Sequence, residues 1–213
     1  MITADEALQR LKAGNLRFRS GENQPVEVDT IVRSHLIVDQ APFAIILGCS
    51  DARVPAEIVF GQGVGDLFVI RVAGNIVAPS QIGSIEFAAE KFGTRLVVVL
   101  GHSNCGAIEA TLEQLLQPTE SRSPNLFSIV DRIRPAVESL LLDGAITDQE
   151  QLKHEAMRLN IAASVANLSH GSEILEALIK NEGLQVIGAE YCLESGEVDF
   201  YDAANGRIDG EIQ

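Results

Sequence analysis

Apolar residues fall into two patterns along this chain, and the patterns alternate. Apolar runs at 43–48, 67–72 (with Arg71 near its end) and 95–101 (opening on Arg95), rich in Val, Leu and Ile, predict strands buried on both faces. Between the second and third, Ile82, Ile85, Ala89 and Phe92 recur at helical spacing behind Ser80. Continuous strands separated by amphipathic helices predict a parallel α/β sheet covered on both sides.

The flanking segments extend this plan. Thr3 and Glu6 have capping-box spacing, and Ala4, Ala7, Leu8 and Leu11 then form a helical stripe that Gly14 should end. A short helical or irregular stretch follows at 28–38. The polar segment 117–124, with two prolines, predicts a loop before two long helices at about 125–142 and 148–169. The second carries a stripe of Leu152, Ala156, Leu159, Ala163 and Ala166. A shorter helix at 173–180 runs to Gly183, then a strand at 184–193, a hairpin turn at 194–198 and a last strand near 199–201. The expected fold is one α/β domain over 1–213: four parallel strands plus a C-terminal edge strand, flanked by helices. An N-terminal helical arm takes up about 1–38 and a helical insert about 118–170.

Composition narrows the partners. Of 213 residues, 46% are apolar and 22% charged, and 16 Lys and Arg face 30 Asp and Glu for a net charge of −14. Such an acidic chain is not expected to bind nucleic acid or an anionic membrane surface. No apolar run has the length of a membrane span, and the N-terminus lacks the pattern of a secretory signal. Three cysteines cannot all pair, so a reducing cytoplasm is expected, where cysteines serve more often as ligands or nucleophiles.

The chemistry concentrates in two segments. GCSDARVP at 48–55 follows the first predicted strand, and GHSNCG at 101–106 follows the third. Ligands of open α/β sheets bind beyond the carboxyl ends of strands. Cys49, His102 and Cys105 supply two thiolates and an imidazole, a donor set suited to zinc. Three protein ligands with an open fourth position form the catalytic arrangement rather than the closed structural one. Singly, each cysteine reads as a small core residue, and only their conjunction favours the metal. Asp51, two residues beyond Cys49, can either become a fourth ligand or orient a water, depending on whether Arg53 grips it.

CSDARVP followed some fifty residues later by GHSNCGA resembles the β-class carbonic anhydrases. The likeness continues through 56–60, GDLFVIRVAGN at 65–75, the helix at 83–92, LKAGNLRF at 11–18 and the strand pair at 188–196. It implies reversible zinc-dependent hydration of carbon dioxide to bicarbonate and a proton, with one zinc on Cys49, His102 and Cys105. Hydroxide on the metal would be the nucleophile. Asp51 and Arg53 would form the catalytic dyad, and Gln40 would reach the substrate across a dimer interface. A homodimer, or a tetramer of dimers, is implied. Rival readings are a carbon disulfide or carbonyl sulfide hydrolase on the same scaffold, and a non-catalytic zinc-binding interaction or sensor module.

One departure stands out. Gly48, Arg71 and Tyr191 match a second, inhibitory bicarbonate site of some members, but Ile46 replaces the tryptophan of that site. Arg71 would then simply pair with a carboxylate, and Tyr191 would be core packing. Cys192 reads as a buried strand residue, and His35, His154 and His170 as solvent-exposed. The glycine-rich GQGVG at 61–65 follows no clear strand and lacks the Lys-Ser or Lys-Thr of a phosphate loop, so no nucleotide site is expected.

Overall fold

The computed structural model describes residues 2–22, 33–34, 36–118, 123–143, 146, 148–202 and 206–207. Most of the expected stretch at 28–38, His35 included, lies outside the described residues. The strands are β1 (Ala44–Gly48), β2 (Leu67–Arg71), β3 (Leu96–His102), β4 (Gln185–Tyr191), β5 (Val198–Asp202) and β6 (Gly206–Arg207). They form one sheet in the order β2-β1-β3-β4-β5-β6. The first four are parallel and β5 runs antiparallel to β4. The two-residue β6 beyond β5 was not expected from the sequence.

The helices are α1 (Ala4–Arg19), α2 (Ala56–Val59), α3 (Pro79–Lys91), α4 (Gly106–Leu116), α5 (Pro124–Asp143), α6 (Gln149–His170) and α7 (Glu173–Glu182). Successive strand residues face opposite sides, so the unbroken apolar runs supply two cores. On one side Ile45, Leu47, Val97 and Val99 pack with Ile85 of α3, Ile108 of α4, Ile133 of α5 and Ile161 of α6. On the other, Ile46, Val98 and Leu100 pack with Leu8 and Leu11 of α1 and with Val59 and Phe60. All residues of β1 and β3 are buried, which is why neither run alternates with polar positions.

Three local expectations need correction. Helix α1 continues through Gly14 to Arg19. Gly14 serves packing instead, because a Cβ there would lie 1.8 Å from the Phe60 carbonyl oxygen. Helix α3 opens at Pro79, whose fixed φ suits a first helical position, and not behind Ser80. In α6 the buried face is Ala156, Met157, Asn160, Ile161, Ser164, Val165 and Leu168, while Ala166 of the expected stripe is exposed. Two buried polar residues displaced the true face from the apolar periodicity. Helix α1 lays its stripe on its own sheet, and Asn15 ties it down, donating to the carbonyls of Val59 (3.2 Å) and Gly196 (2.9 Å) and accepting from Val198 N–H (3.0 Å).

Candidate active site

The connection order reverses between β1 and β3, since β2 lies on the outer side of β1. Such a switch point opens a crevice at the carboxyl ends of the strands. Cys49 directly follows β1, His102 ends β3, and Cys105 is the residue capping the N-terminus of α4. The three are at most 5% exposed. Their donor atoms all lie within 4.8 Å of one another, with the two sulfurs 4.0 Å apart.

Hydrogen bonding orients the imidazole. His102 Nδ1 lies 2.9 Å from the Ser103 carbonyl oxygen, which only accepts, so Nδ1 carries the proton and Nε2 keeps its lone pair. That Nε2 is fully buried and has no hydrogen-bond partner among the described residues. A buried, unpaired acceptor is costly unless something electropositive fills the position. The hydrogen bond from Cys105 is the main influence holding the Cys49 thiol below its ordinary range, aided by the Gly74 amide, 3.4 Å from the sulfur. Donating that bond, together with burial, pushes Cys105 up. Two sulfurs and one imidazole nitrogen, buried and mutually in reach, fit zinc.

The dyad is equally well defined. Arg53 donates from Nε to Asp51 Oδ1 (2.9 Å) and from Nη2 to Oδ2 (2.7 Å), a bidentate pair, and its backbone N–H reaches Oδ1 (2.9 Å). These bonds hold the Asp51 carboxyl below the usual carboxylate range. Asp51 Oδ2 stands 4.0 Å from His102 Nε2, beside the donor set. Arg53 also donates to the Asn104 carbonyl (3.2 Å), linking the two motif loops.

The carbonic anhydrase family model matches residues 44–198. Carbonic anhydrase 2 of Mycobacterium tuberculosis is 35% identical over 209 residues, covering 97% of this chain and 96% of that protein. The chain belongs to the β-class carbonic anhydrases. The carbonic anhydrase of Mycolicibacterium smegmatis is 36% identical over 196 residues, 91% of each chain. Among solved structures, the β-carbonic anhydrase CcaA superposes with a TM-score of 0.75 at 28% identity, covering 98% of this chain and 94% of its own. A β-carbonic anhydrase of Sordaria macrospora, described as tetrameric, gives a TM-score of 0.71 at 26% identity over 79% of this chain and 84% of its own. The protein is thus an enzyme whose family chemistry is the zinc-dependent hydration of carbon dioxide. Neither the carbon disulfide or carbonyl sulfide hydrolase nor the non-catalytic zinc module gains support.

Other predicted residues sort themselves around this carbonic anhydrase centre. Among the described residues Arg71 pairs with no carboxylate: its Nε donates to the Cys49 carbonyl (3.0 Å) and its Nη2 to the Asp51 carbonyl (2.6 Å). It clamps the motif loop. Ile46 and Tyr191 are core residues, and the Tyr191 ring faces Phe18 at 6.4 Å. Gln40 is exposed and lines a groove of about 660 Å³ with Ile37, Val38, Val64 and Phe92, to which none of the metal-set residues contributes. Cys192 lies just past β4, half-buried and outside the metal set. His154 is partly exposed, as expected, but its Nε2 also meets Glu190 Oε1 at 2.7 Å.

Sequence reasoning missed the backbone partners of this site. The Ser103 and Asn104 carbonyls and the Gly74 amide carry no side-chain signal. Their one trace is residue type: Asn75 and Asn104 adopt φ of 43° and 54°, and Gly74 70°. Asn and Gly are the residues that tolerate the left-handed region.

Proposed function

We propose that Cys49, His102 and Cys105 hold the zinc of this carbonic anhydrase, that Asp51 and Arg53 are its catalytic dyad, and that Gln40 serves the site of a second copy. The observation that carries the ligand reading is the buried His102 Nε2, without a hydrogen-bond partner among the described residues and facing two sulfurs, with Asp51 locked by Arg53 beside it. Bound zinc supplies Lewis acidity, which lowers the pKa of water from about 15.7 toward neutrality, as is established for carbonic anhydrases in general.

The chain's own groups then divide the work. Asp51, ionised and acceptor-only, takes a hydrogen bond from the attacking water or hydroxide and turns its lone pair toward carbon dioxide. Arg53 occupies both Asp51 oxygens and so keeps the carboxylate off the metal position. Arg71 fixes the backbone on which Cys49 and Asp51 are mounted. Carbon dioxide is small and uncharged, so the buried setting of the donor set suits it without a charged anchor. Bicarbonate leaves as product, and the proton passes to solvent buffer.

A homo-oligomer, dimer or tetramer of dimers, accounts for Gln40. Ile37 and Val38 beside it are 83% and 86% exposed in the single chain, an apolar edge that a second copy would cover. The Sordaria enzymes are described as tetramers, which supports this reading. Three unpaired cysteines suit a cytoplasmic setting, and among the described residues no helix is long and apolar enough to cross a membrane. Residues 1–213 act as one domain on this reading. Stopped-flow carbon dioxide hydration on metal-quantified protein tests the activity: turnover proportional to zinc content is expected, and zinc-loaded protein without turnover would overturn it.

A further inference from the structure

Helix α6 buries two polar side chains, Asn160 and Ser164, each 3% exposed, one turn apart on the face that meets the sheet. Each has a definite partner. Asn160 Nδ2 donates to the Gly74 carbonyl at 2.8 Å, and Ser164 Oγ donates to the Asn75 carbonyl at 3.2 Å. The turn they grip is unusual, with both Gly74 and Asn75 in the left-handed region, at φ of 70° and 43°. On its other side the Gly74 N–H points at Cys49 Sγ, with N and S 3.4 Å apart.

Glycine is the most permissive residue, so nothing intrinsic keeps the Gly74 amide aimed at the sulfur. The restraint has to come from outside. Fixing the carbonyls of Gly74 and Asn75 fixes the peptide planes that follow each residue. Packing closes the remaining space, since a Cβ on Gly74 would lie 2.9 Å from Ile133 Cδ1 and 3.0 Å from Ala107 Cβ. A leucine at 160 would fill volume but leave the Gly74 carbonyl buried and unpaired.

We infer that Asn160, seconded by Ser164, is a positioning residue for the zinc centre: from the helical insert it holds the Gly74 turn so that the turn's amide hydrogen-bonds Cys49 Sγ. This rests on the reading of Cys49 as a zinc ligand. Partners of metal ligands commonly change metal affinity by about 10- to 100-fold when removed.

The test is zinc transfer from the holoenzyme to an excess of a chromogenic chelator, at a temperature where circular dichroism shows every variant folded. Asn160→Leu should release zinc about 10-fold faster than the parent, and Ser164→Ala should be faster in the same direction. Leu168→Ala, one turn farther along the buried face and with no hydrogen bond to offer, should release at the parental rate. In cobalt-substituted protein, Asn160→Leu should move the thiolate-to-cobalt charge-transfer band to longer wavelength, because the sulfur loses a donor. A parental release rate in Asn160→Leu, or equal acceleration in Leu168→Ala, would overturn this inference alone. If Asn160→Leu does not fold, Ser164→Ala decides by the same criterion. Full zinc retention by Cys49→Ala would overturn the ligand reading and this inference together.

Discussion

The loops leaving β1 and β3 and the helical pair α5–α6 meet at the same turn, yet they are built on opposite rules. The loops put chemically rare side chains at the ends of fully buried strands: Cys49 and His102 each stand where an apolar run stops. The helical pair contributes mostly bulk, with Ile133, Val137 and Ile161 fully buried against the sheet. Its link to the site is two polar residues buried where aliphatic ones would pack. On the proposed reading, the strand ends and loops supply the groups that touch zinc and substrate, while the helices supply the rigidity that keeps those groups aimed.

If this division holds, losses in the loops should strike activity and losses in the helices should strike stability. The largest effect is expected at the ligands. Cys49→Ala or Cys105→Ala should lose most zinc by elemental analysis and lower activity by more than about 100-fold, beyond the cost of an outer partner. Cys192→Ala should keep both, so equal losses there would break the assignment.

Next comes the dyad. Arg53→Ala should retain zinc but lose about 100-fold in turnover, the scale of one preorganised electrostatic partner. Asp51, released from its two bonds, is then free to enter the metal's coordination. Near-parental turnover in that variant would show that Arg53 does not guard the site.

The helical side sharpens the contrast. Ile133→Ala should lower folding stability by about 2–5 kcal/mol in denaturant unfolding, with zinc stoichiometry preserved and a smaller change in turnover than Arg53→Ala. A turnover loss matching Arg53→Ala, without loss of stability, would blur the two regions into one.

The smallest effect is a pH signature. Arg53 holds the Asp51 carboxyl below its ordinary value, so the pair's stabilisation is complete above about pH 4. It is lost as pH falls through the folded-state value. Urea unfolding of chelator-treated parent and Asp51→Asn proteins should show a gap that narrows in acid. A gap that does not change down to about pH 2, below the ordinary carboxylate range, would contradict the coupling.

The strand core and the meeting of Cys49, His102 and Cys105 were legible in the sequence because both depend on residue type at fixed spacing. Apolar runs named β1, β2 and β3 within a residue or two, and the Cys–Asp–Arg and His–Cys spacings pointed to residues that the fold brings into one crevice. Contacts through backbone atoms were not legible. Gly14 looked like a helix stop but is a point of close approach to Phe60. Arg71 looked like half of an ion pair but holds two carbonyls. In α6 the apolar stripe misled because Asn160 and Ser164 occupy the buried face, where periodicity counts them as solvent positions.

The central claim is that zinc sits on Cys49, His102 and Cys105 with its fourth position kept free of Asp51 by Arg53. Zinc K-edge absorption of the parent and Arg53→Ala proteins at one alkaline pH tests it directly. The parent should show two sulfurs at about 2.3 Å and one imidazole nitrogen at about 2.0–2.1 Å, with a light oxygen ligand from solvent. Arg53→Ala should keep the sulfurs and nitrogen and exchange that oxygen for a carboxylate. A parent spectrum without two sulfurs, or unchanged coordination in an inactive Arg53→Ala protein, would contradict the account.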